Sequence, residues 1–290
     1  MTYHALAREA RDVLEDAGIS QITAAFDVEI LARHILGWDR GSWLARRNET
    51  ADDEFRRAYA VLIARRASRE PVAYVRGIQE FWGRDFEVGP GVLIPRPETE
   101  LIIEAADTFL RDRANVTVVD LGTGSGCIAV TLALEHPLAQ VFATDISDEA
   151  LEIAQRNAAR LGASRIEFRH GALLADVPGP IDLIVTNPPY VARADRLGLA
   201  PEVRDFEPDA ALYGSDDGLG IMTSIFDRCR DALAVGGRLI TEIGFGQDDR
   251  VKRALQAFPE YVLESTIDDL QRIPRVIVLR HVPSDPARTF

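Results

Sequence analysis

Asn187-Pro188-Pro189-Tyr190 is the stretch of this chain best suited to holding an amino group. It follows the apolar run Ile181-Asp182-Leu183-Ile184-Val185-Thr186, which reads as a buried strand. Neither proline can extend that strand: each lacks an amide donor, fixes its own φ and restricts the residue before it. The result is a stiff loop at the carboxyl end of a strand, where open α/β sheets place their ligands. It offers backbone carbonyls without amide partners, the side-chain amide of Asn187 and the aromatic face of Tyr190. Those groups suit a planar amino group held for chemistry. Taken alone, the stretch reads equally well as a proline-terminated strand with no further role.

A second constellation is Asp120-Leu121-Gly122-Thr123-Gly124-Ser125-Gly126, between a strand predicted at 116–121 and a helix predicted at 126–135. Glycines let the backbone turn tightly, approach a ligand closely and pack a helix on the strand. Asp145 follows about 20 residues on, at the end of the second predicted strand, where an acid can accept both ribose hydroxyls. A dinucleotide site normally carries Gly-x-Gly-x-x-Gly with a pyrophosphate at the helix N-terminus. The spacing Gly122-x-Gly124-x-Gly126 behind Asp120 instead suits a cofactor without phosphates, its amino-acid end folded against the loop. S-adenosylmethionine fits that description better than NAD. Cys127, at the helix start, reads as a small packing residue rather than an activated thiol.

The elements that must position these groups alternate along the chain. Strands are predicted at 116–121, 140–144, 165–169, 181–186 and 238–243, with the last two near 262–267 and 276–279. Helices fall at 126–135, after the cap and acids of Ser147-Asp148-Glu149, and at 220–234. Such alternation means a doubly wound, mostly parallel α/β sheet. With the first and fourth strands adjacent at its switch point, Asn187 would face the bound cofactor's methyl group. Residues 1–75 read as a small helical bundle. Apolar stripes run through Ala5, Leu6, Ala10, Val13 and Leu14, through Ala24, Ala25, Val28 and Leu31, and through Phe55, Tyr59, Leu62 and Ile63. A β-hairpin linker is expected at 76–95, the catalytic domain at 96–283 and a loose tail at 284–290. Glu98 or Thr99 is the expected cap of a helix starting near Leu101.

The 290 residues, 47% hydrophobic and 27% charged, describe an ordinary globular chain. No apolar run approaches the ~18 residues of a membrane span, and the N-terminus lacks the regions of a signal peptide. Cys127 and Cys229 have no metal-ligand spacing with the five histidines. No metal is expected, and a reducing cytoplasm is the expected location. A net charge of −13 and a pI near 4.9 weigh against nucleic acid, whose partners normally show a basic footprint.

The loop of Asn187 to Tyr190 resembles that of the amino-methylating class I methyltransferases. The resemblance goes further. Pro71-Val72-Ala73-Tyr74, Glu80-Phe81-Trp82-Gly83, Ile94-Pro95-Arg96-Pro97-Glu98-Thr99-Glu100 and Asp120 to Gly126 are similar to the peptide chain release factor glutamine N5-methyltransferase family. So are Asn187 to Tyr190, Glu202-Val203, Phe206-Glu207-Pro208 and Asp217-Gly218-Leu219. It spans roughly residues 20 to 280. It implies a class I methyltransferase-like sheet at 96–283, S-adenosylmethionine as cofactor, and the glutamine of a release factor's Gly-Gly-Gln motif as methyl acceptor. It implies that Gly122, Thr123, Gly124, Ser125 and Gly126 hold the methionine end and Asp145 the ribose. Asn187 and Pro188 would accept the two amide hydrogens, with Pro189 and Tyr190 completing the acceptor site and Tyr190 packed on the amide plane. The helical bundle would help grip the release factor, and a monomer is expected.

One position departs from the family pattern. After the third strand the family often shows Gly-Asp, the acid placed to receive the adenine amino group. Here Gly171 is followed by Ala172. His170 reads as a surface residue, and Glu98 and Glu242 as acids that either line the site or serve structural pairing. Two rivals share the loop or the cofactor: a methyltransferase acting on an exocyclic amine of RNA or DNA bases, and a protein that binds the nucleoside cofactor without turnover. The first predicts a basic groove, the second tolerance of Asn187→Ala.

Overall fold

A computed structural model describes residues 1–283, so the tail expected at 284–290 lies outside the described residues. The chain divides into two compact units. One comprises Met1–Ile78 with Ala200–Phe206, the other Gln79–Leu199 with Glu207–Phe290. Among the described residues no helix is long and apolar enough to cross a membrane.

The first unit is built on α1 (Tyr3–Asp16), α2 (Gln21–Leu36), α3 (Arg40–Arg46), α4 (Asp53–Ala67) and α5 (Val72–Arg76). Thr2, Ser20, Asp39 and Asp52 each accept the backbone N–H three residues on, satisfying a donor that the first turn leaves open. Leu14, Val28, Leu31, Trp43, Phe55, Tyr59 and Ile63 form its core. Trp43 anchors α3, a short helix that apolar periodicity does not reveal. The sequence boundary at 75 did not anticipate that Ala200–Phe206 belongs with this unit. Charge pairing explains it. The buried Arg66 donates to Asp27 Oδ2 at 2.7 Å and to Glu202 Oε1 at 3.0 Å, while Arg69 donates to Glu202 Oε2 at 2.7 Å.

The second unit opens with the hairpin β1 (Ile78–Phe81) and β2 (Arg84–Glu87), turned by Trp82 and Gly83, both at positive φ. Two positive φ values in a row match the twist of the flanking strands. A 3-10 turn (Pro97–Thr99) leads into α6 (Glu100–Leu110). There follow β3 (Thr117–Leu121), α7 (Cys127–Glu135), β4 (Gln140–Asp145), α8 (Asp148–Leu161), β5 (Glu167–His170), β6 (Ile181–Thr186) and β7 (Val191–Ala192). After α9 (Pro201–Arg204), which lies in the segment counted with the first unit, come α10 (Asp209–Leu212), β8 (Tyr213–Ser215), α11 (Gly220–Cys229) and β9 (Leu233–Glu242). The chain ends with α12 (Asp248–Leu255), β10 (Tyr261–Asp268) and β11 (Pro274–His281).

The seven-stranded sheet has the order β10-β11-β9-β6-β3-β4-β5, with β11 antiparallel to both neighbours and the remaining pairs parallel. Both faces are covered, as a parallel sheet requires. Val118, Val141, Leu183, Val185 and Ile240 meet α6 and α7 on one face. Val119, Leu121, Phe142, Ile184 and Leu239 meet α11 on the other. Strand order reverses at β3, between β4 and β6, which is the predicted switch point. The helix predicted at 220–234 stops at Cys229, and β9 starts at Leu233 rather than 238. The apolar residues Leu233 and Ala234 continue a helical stripe in sequence, but Leu233 pairs with Ile181. Tertiary pairing overrides the local pattern there.

Candidate active site

Register decides which side chains meet. Leu121 at the end of β3 pairs with Thr144 of β4 and with Thr186 of β6, and Thr186 pairs with Thr241 of β9. The residues that follow, Gly122, Asp145, Asn187 and Glu242, therefore emerge at one level along the carboxyl edge of the sheet.

The glycine loop turns back over β4, with Gly122 N and Thr123 N both donating to Thr144 O at 2.9 Å. Gly126, at φ +81°, caps α7, and a β-carbon there would lie 3.0 Å from the Ala154 β-carbon. Only glycine permits both that backbone and the close approach of α8. Beneath the loop the fully buried Asp120 accepts Thr123 Oγ1 at 2.7 Å and Ala129 N at 3.1 Å through Oδ2. Burial pushes its carboxyl up to about 7. At the rim, Asp145 accepts Gly124 N through Oδ2 and Ser147 N through Oδ1, both at 2.9 Å. Each oxygen retains lone-pair capacity for a further donor.

The loop of residues 122–125 and Asp145 line a cavity of about 410 Å³ together with residues 146–147, 171–173 and 187–189 and Thr99. That volume lies in the usual range for small-molecule sites. Its walls also include Leu93 and Pro95 and, from a second segment of the chain, Pro208, Ala210 and Ala211. Glu207, 4% exposed, ties these walls together by accepting both Arg96 and Ile94 N. Burial raises its carboxyl pKa, and Arg96 opposes that shift.

The proline loop is held from three sides. Asn187 Nδ2 donates to Thr99 Oγ1 at 3.1 Å, and Thr99 Oγ1 donates to Glu242 Oε2 at 2.7 Å. Tyr190 Oη donates to Glu242 Oε1 at 3.2 Å, and Tyr190 O accepts Gln247 Nε2 at 2.9 Å. A β-carbon at Gly214 would collide with the Pro189 carbonyl, so β8 can lie against the loop only as glycine.

Gly122, Thr123, Gly124, Ser125, Asp145, Ala172, Asn187, Pro188 and Pro189 all line the cavity. Gly126 sits behind the loop under α7, and Tyr190 turns its hydroxyl toward Glu242 rather than into the cavity lining. Thr99 holds the N-cap position of α6, as expected, but its side chain makes no capping hydrogen bond, because the 3-10 turn carries the chain into the helix and the Thr99 hydroxyl donates to Glu242. Glu242, 2% exposed, is bonded to Thr99 and Tyr190 and lies outside the lining; Glu98 is likewise absent from the lining. The exposed His170 ring meets Ile146 O at 3.0 Å. Burial pushes the Cys127 thiol up to about 12, in keeping with a packing role. Sequence reasoning missed Ile146, an apolar side chain 60% exposed at the cavity. Sequence reasoning singled out Glu207 only as part of the Phe206-Glu207-Pro208 resemblance and gave no role to this bracing acid. Among the described residues no cluster of His, Cys, Asp and Glu is placed to hold a metal ion.

A parallel sheet carrying a glycine loop, an acid at the second strand and a proline loop at its switch point defines the methyltransferase fold. A methyltransferase from Pyrococcus furiosus shares it, with a TM-score of 0.53 at 20% identity over 76% of this chain and 98% of that one. The catalytic domain of hMettl16 does so with a TM-score of 0.56 at 16% identity, over 77% of this chain and 82% of that one. The family profile of the methyltransferase small domain matches residues 98–202, and that of the PrmC N-terminal domain matches residues 5–77. The chain is 42% identical to the release factor glutamine methyltransferase of Koribacter versatilis, over 91% of this chain and 96% of that protein. It is 44% identical to the protein of the same name from Neisseria gonorrhoeae, over 82% and 86%. The chain belongs to the release factor glutamine methyltransferase family.

Proposed function

We propose that the protein transfers a methyl group from S-adenosylmethionine to the side-chain amide nitrogen, N5, of the glutamine in the Gly-Gly-Gln motif of peptide chain release factors, in support of translation termination. The observation that carries this reading is the Asn187–Thr99 hydrogen bond. Asn187 lines the cavity, and the bond commits its NH₂ end, leaving Oδ1 as the end available to accept a hydrogen.

The cavity residues fit the cofactor. Asp145 retains acceptor capacity for ribose hydroxyls, and the loop of residues 122–125 offers backbone at close range for an amino-acid end. With Ala172 in place of an acid, Ile146 and Leu173 supply apolar surface for a flat base, leaving polar recognition to the backbone of 171–173. When bound, the cofactor supplies a methyl group already activated by its sulfonium.

The difficulty lies with the acceptor, because an amide nitrogen delocalises its lone pair into its carbonyl. Asn187 Oδ1 and the Pro188 carbonyl accept the two amide hydrogens, which orients the nitrogen and stabilises positive charge as it develops there. Proton loss from that nitrogen follows transfer, so no strong base is required. Pro188 and Pro189 keep the loop stiff, so little reorganisation accompanies the reaction. Tyr190 steadies the loop from behind. The helical unit of residues 1–78 supplies grip on the protein substrate. Ile22 and Phe26, one turn apart on α2 and 73% and 60% exposed, are an apolar patch suited to that role.

The deciding experiment incubates the protein with labelled S-adenosylmethionine and a release factor, then locates the label by peptide mass spectrometry. Label is expected on the Gly-Gly-Gln glutamine. Its absence there, under conditions in which nucleic acid becomes labelled, would overturn the reading.

A further inference from the structure

We propose that Glu242 is a positioning residue for the transfer step: through the Thr99 hydroxyl it fixes which end of the Asn187 amide meets the acceptor and strengthens that end as a hydrogen-bond acceptor. The inference rests on the reading of Asn187 as the acceptor clamp.

The argument is one of hydrogen-bond direction. Glu242 lies at the end of β9, 2% exposed, and receives Thr99 Oγ1 at 2.7 Å and Tyr190 Oη at 3.2 Å. An ionised carboxylate only accepts, so the single Thr99 proton must point at it. The lone pairs of Thr99 are then what Asn187 meets, and only the NH₂ end of an amide can bond to them. Asn187 Nδ2 now lies 3.1 Å from Thr99 Oγ1, and a flipped Asn187 would set Oδ1 in its place, two acceptors facing each other with no proton between them. The donors therefore all run one way, from Asn187 to Thr99 to Glu242, with Tyr190 arriving from the other side. The two ends of the Asn187–Tyr190 loop are tethered to one carboxylate.

The same chain polarises Asn187. An amide whose N–H groups are engaged carries more negative charge on its oxygen, and aligned hydrogen bonds in a low-dielectric interior reinforce one another. A buried negative charge behind the clamp also favours positive charge developing on the acceptor nitrogen. Burial and the like-charged Glu98 of the 3-10 turn oppose that charge, while the Thr99 and Tyr190 hydrogen bonds and Arg275 of β11, itself paired with Asp269 at 2.9 Å, favour it, so the relay is polarised in the ionised form of Glu242.

The test uses the full chain. Glu242→Gln offers Thr99 an amide of ambiguous direction and is expected to lower kcat about 10- to 100-fold, with KM for S-adenosylmethionine changed less than about twofold. Thr99→Val should act alike, Thr99→Ser should recover most of the rate, and the double variant Glu242→Gln/Thr99→Val should be no slower than either single one. Burial pushes the Glu242 carboxyl up to about 7. The wild-type kcat should therefore fall as pH drops through that value, and Glu242→Gln should lose the inflection. A readout independent of turnover is the side-chain ¹⁵N–¹H signal of Asn187, assigned with Asn187→Asp. It should shift over the same pH range in the wild type and not in Glu242→Gln. Wild-type kcat and pH profile in Glu242→Gln, or an Asn187 signal indifferent to that titration, would overturn the proposal. Failure to label glutamine would overturn the functional reading alone, since the Asn187 signal is measured without any acceptor.

Discussion

Asn157 of α8 and Ser125 of the glycine loop are joined by a hydrogen bond of 2.9 Å from Nδ2 to the Ser125 carbonyl. The same fully buried side chain donates to Glu87 O at 2.9 Å and accepts Glu87 N at 2.7 Å, behaving as a missing strand neighbour for β2. One amide thus ties the hairpin to the loop that borders the cavity. Asn157→Ala should destabilise the protein by about 2–4 kcal/mol, because it strands the buried Ser125 carbonyl and the part-buried N–H and C=O of Glu87. It should also weaken S-adenosylmethionine binding. Urea denaturation and calorimetric titration would measure the two effects, and unchanged affinity would show that the loop holds its shape without the tie.

Asn187→Ala separates binding from transfer. The loop of residues 122–125 and Asp145 remain, so the dissociation constant for the cofactor should stay within about threefold of wild type. Turnover should fall by at least about 100-fold, the scale of losing one preorganised partner of a developing charge. Single-turnover methylation alongside equilibrium binding checks both. Wild-type turnover would reduce the loop to a strand terminator.

Asp120 sets a pH dependence of stability whose sign follows from its environment. Burial raises its pKa from 3.8 to about 7, so the folded state holds the proton more tightly than the unfolded one. The stabilisation is fully present below the unfolded value and is lost as pH rises through the folded one. Between those values wild type should lose on the order of 1.4 kcal/mol per pH unit relative to Asp120→Asn, which cannot titrate. Thermal unfolding of both proteins at pH 5 and pH 8 tests this. A constant difference between them would mean that Asp120 titrates normally.

The pairing of Arg66 with Asp27 and Glu202 gives a fourth expectation. Arg66→Met leaves Asp27 buried without its partner and should cost about 3–5 kcal/mol at neutral pH. The deficit should shrink toward pH 4, where a stranded Asp27 takes up a proton more readily. Chemical denaturation at the two pH values measures it, and a loss below about 1 kcal/mol would show the cluster to be replaceable.

Much of this molecule is legible in its sequence, for an identifiable reason. The parallel strands are buried on both faces, so 116–121 and 181–186 appear as apolar runs, and the loops after them carry glycine or proline that few other contexts demand. Local chemistry also reveals the Ser147 cap of α8 and the Trp82-Gly83 turn. What stays hidden are partners far apart in the chain. Thr99 and Glu242 are separated by 143 positions and Ile94 and Glu207 by 113, distances that no periodicity spans. Each residue is visible as a polar group near an apolar stretch, but its direction is set by sheet register and the packing of other elements. Thr99 accordingly reads as a helix cap, a position it does hold, while its hydroxyl serves as the middle member of a relay. The short α3 and the start of β9 were obscured for the same reason, since Trp43 and Leu233 are placed by tertiary contacts.

The assignment of Ala200–Phe206 to the helical unit has a practical corollary. The chain crosses from one unit to the other three times, after Ile78, after Leu199 and after Phe206. The N-terminal unit is therefore not a detachable cassette. A fragment ending at residue 78 would lack Glu202 and expose the cationic faces of Arg66 and Arg69, while one starting at 79 would carry an orphaned acidic segment. Chimeras that exchange the helical unit between relatives need two splices, one at the linker and one around 200–206, for the transplanted charges to find their counterparts.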